Sequence, residues 1–339
     1  RDLRMSRGLG DVYKRQALYQ VNSLIVALDK LAASQSRNEI LGVASFFRGL
    51  IYYHLVSRYG EVPILEAPFS GDIAASTEEE GWSFVEKNFQ VAIDYAPTFS
   101  DKYYVSKQAA KALMARTKLA QGKLTEAAKL AEEVIGDANF SLADFDQIFR
   151  GKANREEIFS FVNLLNESSV NLSASLYSRA SANGGSYTYA PTTKVMNMFE
   201  PDDKRTAISI DMQETNEVIN KYPGGEVTTD PIIITRLGEM YLISAEAQGL
   251  SKGLTRLNEL RNFRGLPSVH PATEEDFIDA ILNERHTELL AEGFRWFDLV
   301  RLNRLESDLG FERKYNRLPI PAKERSLNKL LNQNSYWAN

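Results

Sequence analysis

The chain has 339 residues, 43% of them hydrophobic and 25% charged, the composition of a globular protein with a sizeable core. It contains no cysteine, which excludes a disulfide framework, a thiol nucleophile and a thiolate metal site. Its three histidines, His54, His270 and His286, lie far apart with no HExxH-type spacing, so neither a metal nor a cofactor is expected. No run reads as the roughly eighteen consecutive apolar residues of a membrane span.

The first sixteen residues, "RDLRMSRGLGDVYKRQ", carry five Lys/Arg against two Asp, whereas the rest of the chain has 35 Lys/Arg against 43 Asp/Glu. They lack the apolar core of a secretory signal. "DVYKRQ" reads as the translation of a transposase mosaic end used in sequencing adapters. Residues 1–16 are therefore set aside from the fold, and the natural N-terminus is expected to be missing. The acidic remainder argues against nucleic acid or an anionic membrane surface as a partner.

From Leu18 the pattern is helical. "LYQVNSLIVALDKLA" repeats apolar residues at helical spacing, and "NEILGVASFFRGLIYYHLVSRYGEVPIL" keeps Ala44, Phe47, Leu50, Ile51, His54 and Leu55 near one face. Gly60 and Pro63 end that helix. "STEEEGWSFVEKNFQVAIDYAP" predicts a third, with Ser76 and Glu79 as its capping pair and Pro97 as its stop. In "AAKALMARTKLAQGKLTEAAKLAEEVI", residues 109–135, Ala112, Ala115, Ala120, Ala127 and Ala131 line two helices broken at Gly122. "QGKLTEAA" resembles the turn of a tetratricopeptide repeat, and "RLGEMYLISAEAQGLSKGLTRLNELRNFRG" is a looser version. Between them a strand, "EEIFSFVN", leads into a polar, tyrosine-bearing loop. The expected fold is mainly α, one domain over 17–339. Its tetratricopeptide-like helical hairpin scaffold (17–150 and 231–339) carries an irregular, loop-rich insertion at about 155–230 with short strands.

"ERHTELLAEGFRWFDLVR", residues 284–301, concentrates charge. If helical, Glu284, Glu288 and Glu292 share one side. Arg285 continues the apolar stripe of Ile278, Ile281 and Leu282, so it points inward and needs a carboxylate partner. Thr273 to Asp276 supplies an N-cap and an acidic first turn, and Gly293 separates this helix from a second. The expectation is a structural ion-pair network of Glu284, Arg285, Glu288, Glu292, Arg295, Asp298 and Arg301. A catalytic carboxylate pair is disfavoured, because acids beside arginines are held ionised whereas a general acid needs its pKa raised.

Tyr177, Tyr187 and Tyr189, with Arg179, Asn183 and Asn163 or Asn166, supply aromatic faces and hydrogen-bonding groups for a sugar. The competing reading is that these tyrosines pin the loop to the scaffold. Trp82 and Trp296 read as packing residues and Trp337 as part of a frayed end. "PDDKR", 201–205, reads as a turn with a local ion pair, since two adjacent acids offer calcium too few oxygens. The chain carries no phosphate-binding glycine loop and no nucleophile elbow.

Six blocks in order resemble the SusD/RagB-like outer-membrane nutrient-binding lipoproteins of Bacteroidetes. They are "FFRGLIYYHLVSRYGEVPIL"; the alanine hairpin with "FSLADFDQIF"; "PTTKVMNMFEPDDKR" with "KYPGG"; "ITRLGEMYLISAEAQG" with "RLNELRNFRGL"; the charged stretch; and "RLPIPAKERSLNKLLNQNSY". The tail reads "QNSYW" where the family has Gln-Asn-Pro-Gly-Tyr. The chain is shorter than usual members and has no lipobox cysteine, which fits a truncated N-terminus or a compact variant. The resemblance implies a non-enzymatic protein at the cell surface, held in the outer membrane by a lipid anchor absent from this sequence. It further implies capture of oligosaccharides, or occasionally peptides, for a SusC-like TonB-dependent transporter. A peptide-gripping tetratricopeptide scaffold and a helical glycoside hydrolase stand as alternatives.

Overall fold

The computed structural model describes residues 16–164, 172–176, 185–222, 224 and 230–338. In chain order the elements are α1 (16–28), α2 (Gln35–Tyr59), α3 (Glu78–Tyr95), α4 (Lys107–Ala120), α5 (Leu124–Ile135) and α6 (Phe145–Phe149). Then come β1 (Glu157–Phe161), α7 (Thr193–Met196), α8 (Thr206–Ser209), β2 (Ile210–Gln213), β3 (Asn216–Ile219) and β4 (Ile232–Arg236). The last are α9 (Leu237–Phe263), α10 (Glu274–Glu288), α11 (Arg295–Arg301), α12 (Leu305–Leu309) and α13 (Ala322–Leu327). The fold is mainly helical, with the short strands confined to 157–236. Residues 16–99, 105–121 and 299–338 form one compact unit, and 100–104 with 122–298 form a second.

In the first unit α2 packs along α3, and α3 along α4. Phe46, Tyr52, Val56, Val85 and Phe89 are fully or almost fully buried, with Phe46 and Phe89 edge to face. Ala44 and Leu50 are buried as their spacing predicts, but Phe47, Ile51, His54 and Leu55 are only half-buried. Periodicity ranks the faces poorly in a helix that is apolar most of the way round. For the same reason α2 is long and apolar enough to cross a membrane by length and composition, contrary to expectation. Within the unit, 61% of its most apolar stretch is buried. Arg48 also lies inside: Nε donates to Asn88 Oδ1 at 2.6 Å and Nη1 to Asn22 Oδ1 at 3.3 Å, which ties α2 to α3 and α1.

The capping box of α3 is Thr77 with Glu80, one residue beyond the predicted pair. Ser76 belongs instead to a bridge with Val62, where its N–H donates to the Val62 carbonyl at 3.0 Å. Further along, "LPIP" and "QN" meet. Ile320 N–H donates to Gln333 Oε1 at 2.7 Å, Gln333 Nε2 donates back to the Ile320 carbonyl at 3.3 Å, and Asn334 Nδ2 donates to the Leu318 carbonyl at 2.8 Å. Trp337 is anchored rather than frayed: its Nε1 donates to the Arg317 carbonyl at 2.8 Å and its ring meets Tyr315 edge-on.

In the second unit α5 and α10 both pack on α9, around Leu242, Ala245, Leu257, Leu260, Phe277 and Ile281. α9 is two helices meeting at Gly249, whose φ of 69° is the left-handed conformation that glycine adopts without strain. β1 pairs antiparallel with β4, from Glu157 opposite Arg236 to Phe161 opposite Ile232. β2 and β3 form a hairpin from Ile210 opposite Ile219 to Gln213 opposite Asn216. α10 starts at the predicted Thr273 cap but ends at Glu288, followed by a turn in which Ala291 and Gly293 both take positive φ. Glu292 therefore lies beyond the helix, not on the shared stripe that the spacing predicts.

Candidate functional site

Of the loop residues singled out from sequence, Tyr177, Arg179, Asn183 and Asn166 lie outside the described residues. The other three have distinct roles. Asn163 follows β1 and is buried, with Nδ2 donating to the Asp230 carbonyl at 3.0 Å. Burial pushes the Asp230 carboxyl above its ordinary value, against hydrogen bonds from Gly224 N–H and Ser173 that pull it down. Tyr187 has a φ of 47° and donates its hydroxyl to the Glu217 carbonyl at 2.8 Å, which braces the loop on β3. Tyr189 is held by its N–H to the Ser175 carbonyl at 2.9 Å but leaves 50% of its surface exposed. Asn163 thus ties the end of β1 to Asp230, Tyr187 anchors its own segment on β3, and Tyr189 presents a ring to solvent.

The carboxylates of the charged stretch are buried in the same unit, with partners drawn from distant segments. Arg205 chelates Asp203 through Nε and Nη2 at 2.8 and 2.7 Å, and its Nη1 donates to Glu284 Oε1 at 2.6 Å and Glu288 Oε2 at 2.8 Å. "PDDKR" is thus a turn with an ion pair, and its arginine also reaches α10. Arg236, at the end of β4, donates to Glu156, Glu288 and Glu292. Arg264, just after α9, takes Glu156 and Glu288. Arg261 takes Glu284 at 2.8 Å and Glu200 at 2.9 Å. Lys221 Nζ donates to Glu292 Oε1 at 2.7 Å and to the Glu288 carbonyl at 2.8 Å. The rings of Phe145 and Phe149, on α6, lie beneath Lys221, Arg236 and Arg264.

The ion pairs of Glu284, Glu288 and Glu292 reach beyond the quoted stretch, to Arg205, Arg236, Arg264 and Lys221. Arg295 Nη1 donates to the Leu282 carbonyl at 3.2 Å, and Arg301 is half-buried at the end of α11. Arg285 pairs with Asp298, Nε to Oδ2 at 2.9 Å. The physical reason lies in the early end of α10: the turn at 289–293 swings Glu292 toward β4, where Arg236 and Lys221 meet it. Sequence reasoning missed Glu156, Asp203, Arg205, Lys221, Arg236, Arg261 and Arg264. The available signal was a basic residue inside each of "PDDKR", "KYPGG", "ITRLGEM" and "RNFRG".

Electrostatically the cluster is a lock. Burial is the largest single influence on Glu288 and would raise its carboxyl, but Arg264, Arg236 and Arg205 together hold it well below the usual carboxylate range. Glu292 is lowered in the same way by Arg236 and Lys221 against burial. Burial brings the Lys221 ammonium down to about 8 despite its carboxylate neighbour. Carboxylates saturated by guanidiniums cannot donate a proton near neutrality, so these acids are unsuited to general-acid work.

The first unit contains a cavity of about 350 Å³ lined by Leu18, Leu55, Val62, Leu65, Ile320 and Leu331 among others. The carboxamides of Asn22 and Asn328 at its wall are engaged with the backbone of Leu65 and Ile73. Its lining is mainly apolar, with Tyr19, Tyr59, Glu61 and Glu324 among its polar members.

A family model described as "SusD family" matches residues 147–316, a span that contains every member of the buried network. The chain belongs to the SusD family. A second model, described as "Starch-binding associating with outer membrane", matches residues 11–119. SusD-like protein P2 of Formosa agariphila is 25% identical over 372 residues, covering 88% of this chain and 74% of that protein. A SusD superfamily protein from Bacteroides vulgatus shares the fold with a TM-score of 0.84 at 21% identity, covering 96% of this chain and 84% of its own. A structure named as a laminarin binding SusD-like protein has a TM-score of 0.83 at 24% identity, with 95% and 84% covered. In this SusD-family chain the charged stretch is the centre of an internal lock.

Proposed function

We propose that this SusD-family chain is a non-catalytic glycan-capturing protein of the cell surface. It takes up oligosaccharides at the outer membrane, as a lipoprotein, and passes them to a SusC-like TonB-dependent transporter. The observation that carries the reading is the match to a family described as starch-binding and associated with the outer membrane. A fold neighbour named for laminarin binding adds support. The geometry is compatible: an exposed tyrosine, Tyr189, stands two residues beyond Tyr187, whose hydroxyl anchors the segment on β3, as stacking against a sugar face requires. Tyr177, Arg179 and Asn183 complete the proposed contact set. The buried acids are ion-paired, which disfavours hydrolysis by them.

Affinity electrophoresis through native gels containing laminarin or soluble starch tests this reading. Retardation without shortening of the polysaccharide is expected. Release of reducing sugars would favour the hydrolase alternative. Retention only by peptides would favour the tetratricopeptide scaffold.

A further inference from the structure

Residues 100–104 form a short loop belonging to the second unit, and it carries two exposed aromatic rings: Tyr103 is 40% and Tyr104 69% exposed. Exposed loop tips ordinarily carry small polar residues, so two adjacent rings there need a reason. The loop is also fixed more firmly than solvent-facing residues require. Lys102 Nζ donates to Glu157 Oε1 at 2.6 Å, and that fully buried carboxylate also accepts from Asn154 Nδ2 at 2.8 Å and Ser160 Oγ at 2.7 Å. The Lys102 carbonyl accepts from Ser160 N–H at 2.9 Å, which fastens the loop to β1. Asp101 Oδ1 accepts from Tyr103 N–H at 2.9 Å, closing an Asx turn. Neither phenol hydroxyl has a hydrogen bond among the described residues.

We propose that Tyr103 and Tyr104 form a glycan contact surface separate from the 160–190 loop, stacking on the pyranose rings of a neutral oligosaccharide. The proposal rests on the glycan-capture reading. A pyranose offers an apolar C–H face to an aromatic ring and hydroxyls around its edge. Two rings with unengaged phenol groups match both features, and a loop already rigid loses little entropy on binding. Lys102 Nζ lies 5.3 Å from the Tyr103 ring centroid, which fixes that ring while 40% of the residue stays exposed. The charge pattern selects the class. Lys102 is neutralised by Glu157, whereas the exposed Asp101 carboxylate has only one oxygen engaged. That leaves an acceptor for sugar hydroxyls and a field that repels uronates and sulfates. Phe161 and Val162, at the end of β1, are also exposed.

The test is isothermal titration of the full chain with laminarin, soluble starch and xylan as neutral probes and polygalacturonate as the anionic one. The expected result is binding to a neutral probe and none to polygalacturonate. Tyr103→Ala and Tyr104→Ala should each weaken that binding about tenfold with an unchanged melting temperature. Wild-type binding with full affinity in both variants overturns the surface but leaves glycan capture standing. No binding of the wild type to any neutral probe overturns both. Preference for polygalacturonate overturns the neutral class. Unchanged glycan affinity with lost self-association in sedimentation assigns the rings to a protein contact and overturns the proposal.

Discussion

Arg285 Nε lies 2.9 Å from Asp298 Oδ2, with the two side chains only 3% and 4% exposed. This pair joins α10 to the start of α11 within the second unit. Arg285→Ala takes this cation away from the buried Asp298 carboxylate, and removing one partner of a buried pair costs about 3–5 kcal/mol. Chemical denaturation should show that loss, while glycan affinity per folded molecule stays within about twofold of wild type. Unchanged stability with lost binding would assign Arg285 to the ligand instead.

The network predicts acid sensitivity. Glu288 and Glu292 have pKa values in the folded state below their ordinary 4.5, so their stabilising contribution is complete above that pH. It is lost progressively as pH falls from 4.5 through the lower folded values. The melting temperature should therefore drop steeply below pH 4.5, and Glu288→Gln should be less stable at neutral pH with a shallower acid slope. A melting temperature that stays flat on acidification below that point contradicts the lock.

Gly238 opens α9 directly against the lock. A Cβ there would stand 2.5 Å from Glu288 Oε1, 2.7 Å from Arg236 Nη1 and 3.0 Å from Glu156 Oε1. Glycine to alanine inside a helix normally stabilises by roughly 0.5–1 kcal/mol. Here the sign should reverse, with a loss of about 1–3 kcal/mol, because the atoms it meets are fixed by their own ion pairs. Equilibrium urea unfolding measures it, and a stabilised Gly238→Ala would mean the carboxylates have room to move.

Gln333 brackets Ile320 with both a donor and an acceptor. Gln333→Ala should cost about 1–2 kcal/mol. The effect should be local, seen as faster amide exchange at 318–338. Gln333→Glu keeps the acceptor for Ile320 N–H and should lose less. Unaltered exchange in the alanine variant would show that the tail is held by Asn334 and Trp337 alone.

What the sequence makes legible is local. The Thr273 cap and the break at Gly122 each depend on residues a few positions apart, and Arg285 finds its partner thirteen residues on within one quoted stretch. The partners of Glu288 are not legible in this way. Arg205 is 83 residues away, Arg236 52 and Arg264 24, and they converge through the pairing of β4 with β1 and the path of α9. No helical period encodes that convergence. The tyrosines divide similarly: sequence composition marks Tyr187 and Tyr189 together, but only the hydroxyl bond of Tyr187 to Glu217, thirty residues on, separates the brace from the exposed ring. Tyr103 and Tyr104 precede an alanine-rich helix, and their fixation depends on Glu157, more than fifty residues later.

The central claim is capture without catalysis, and the most direct measurement is calorimetric titration of the chain with laminarin and soluble starch, followed by chromatography of the recovered glycan. The account predicts saturable binding and glycan recovered at its original length. Absence of heat with every glycan, or shortened products after incubation, would contradict it.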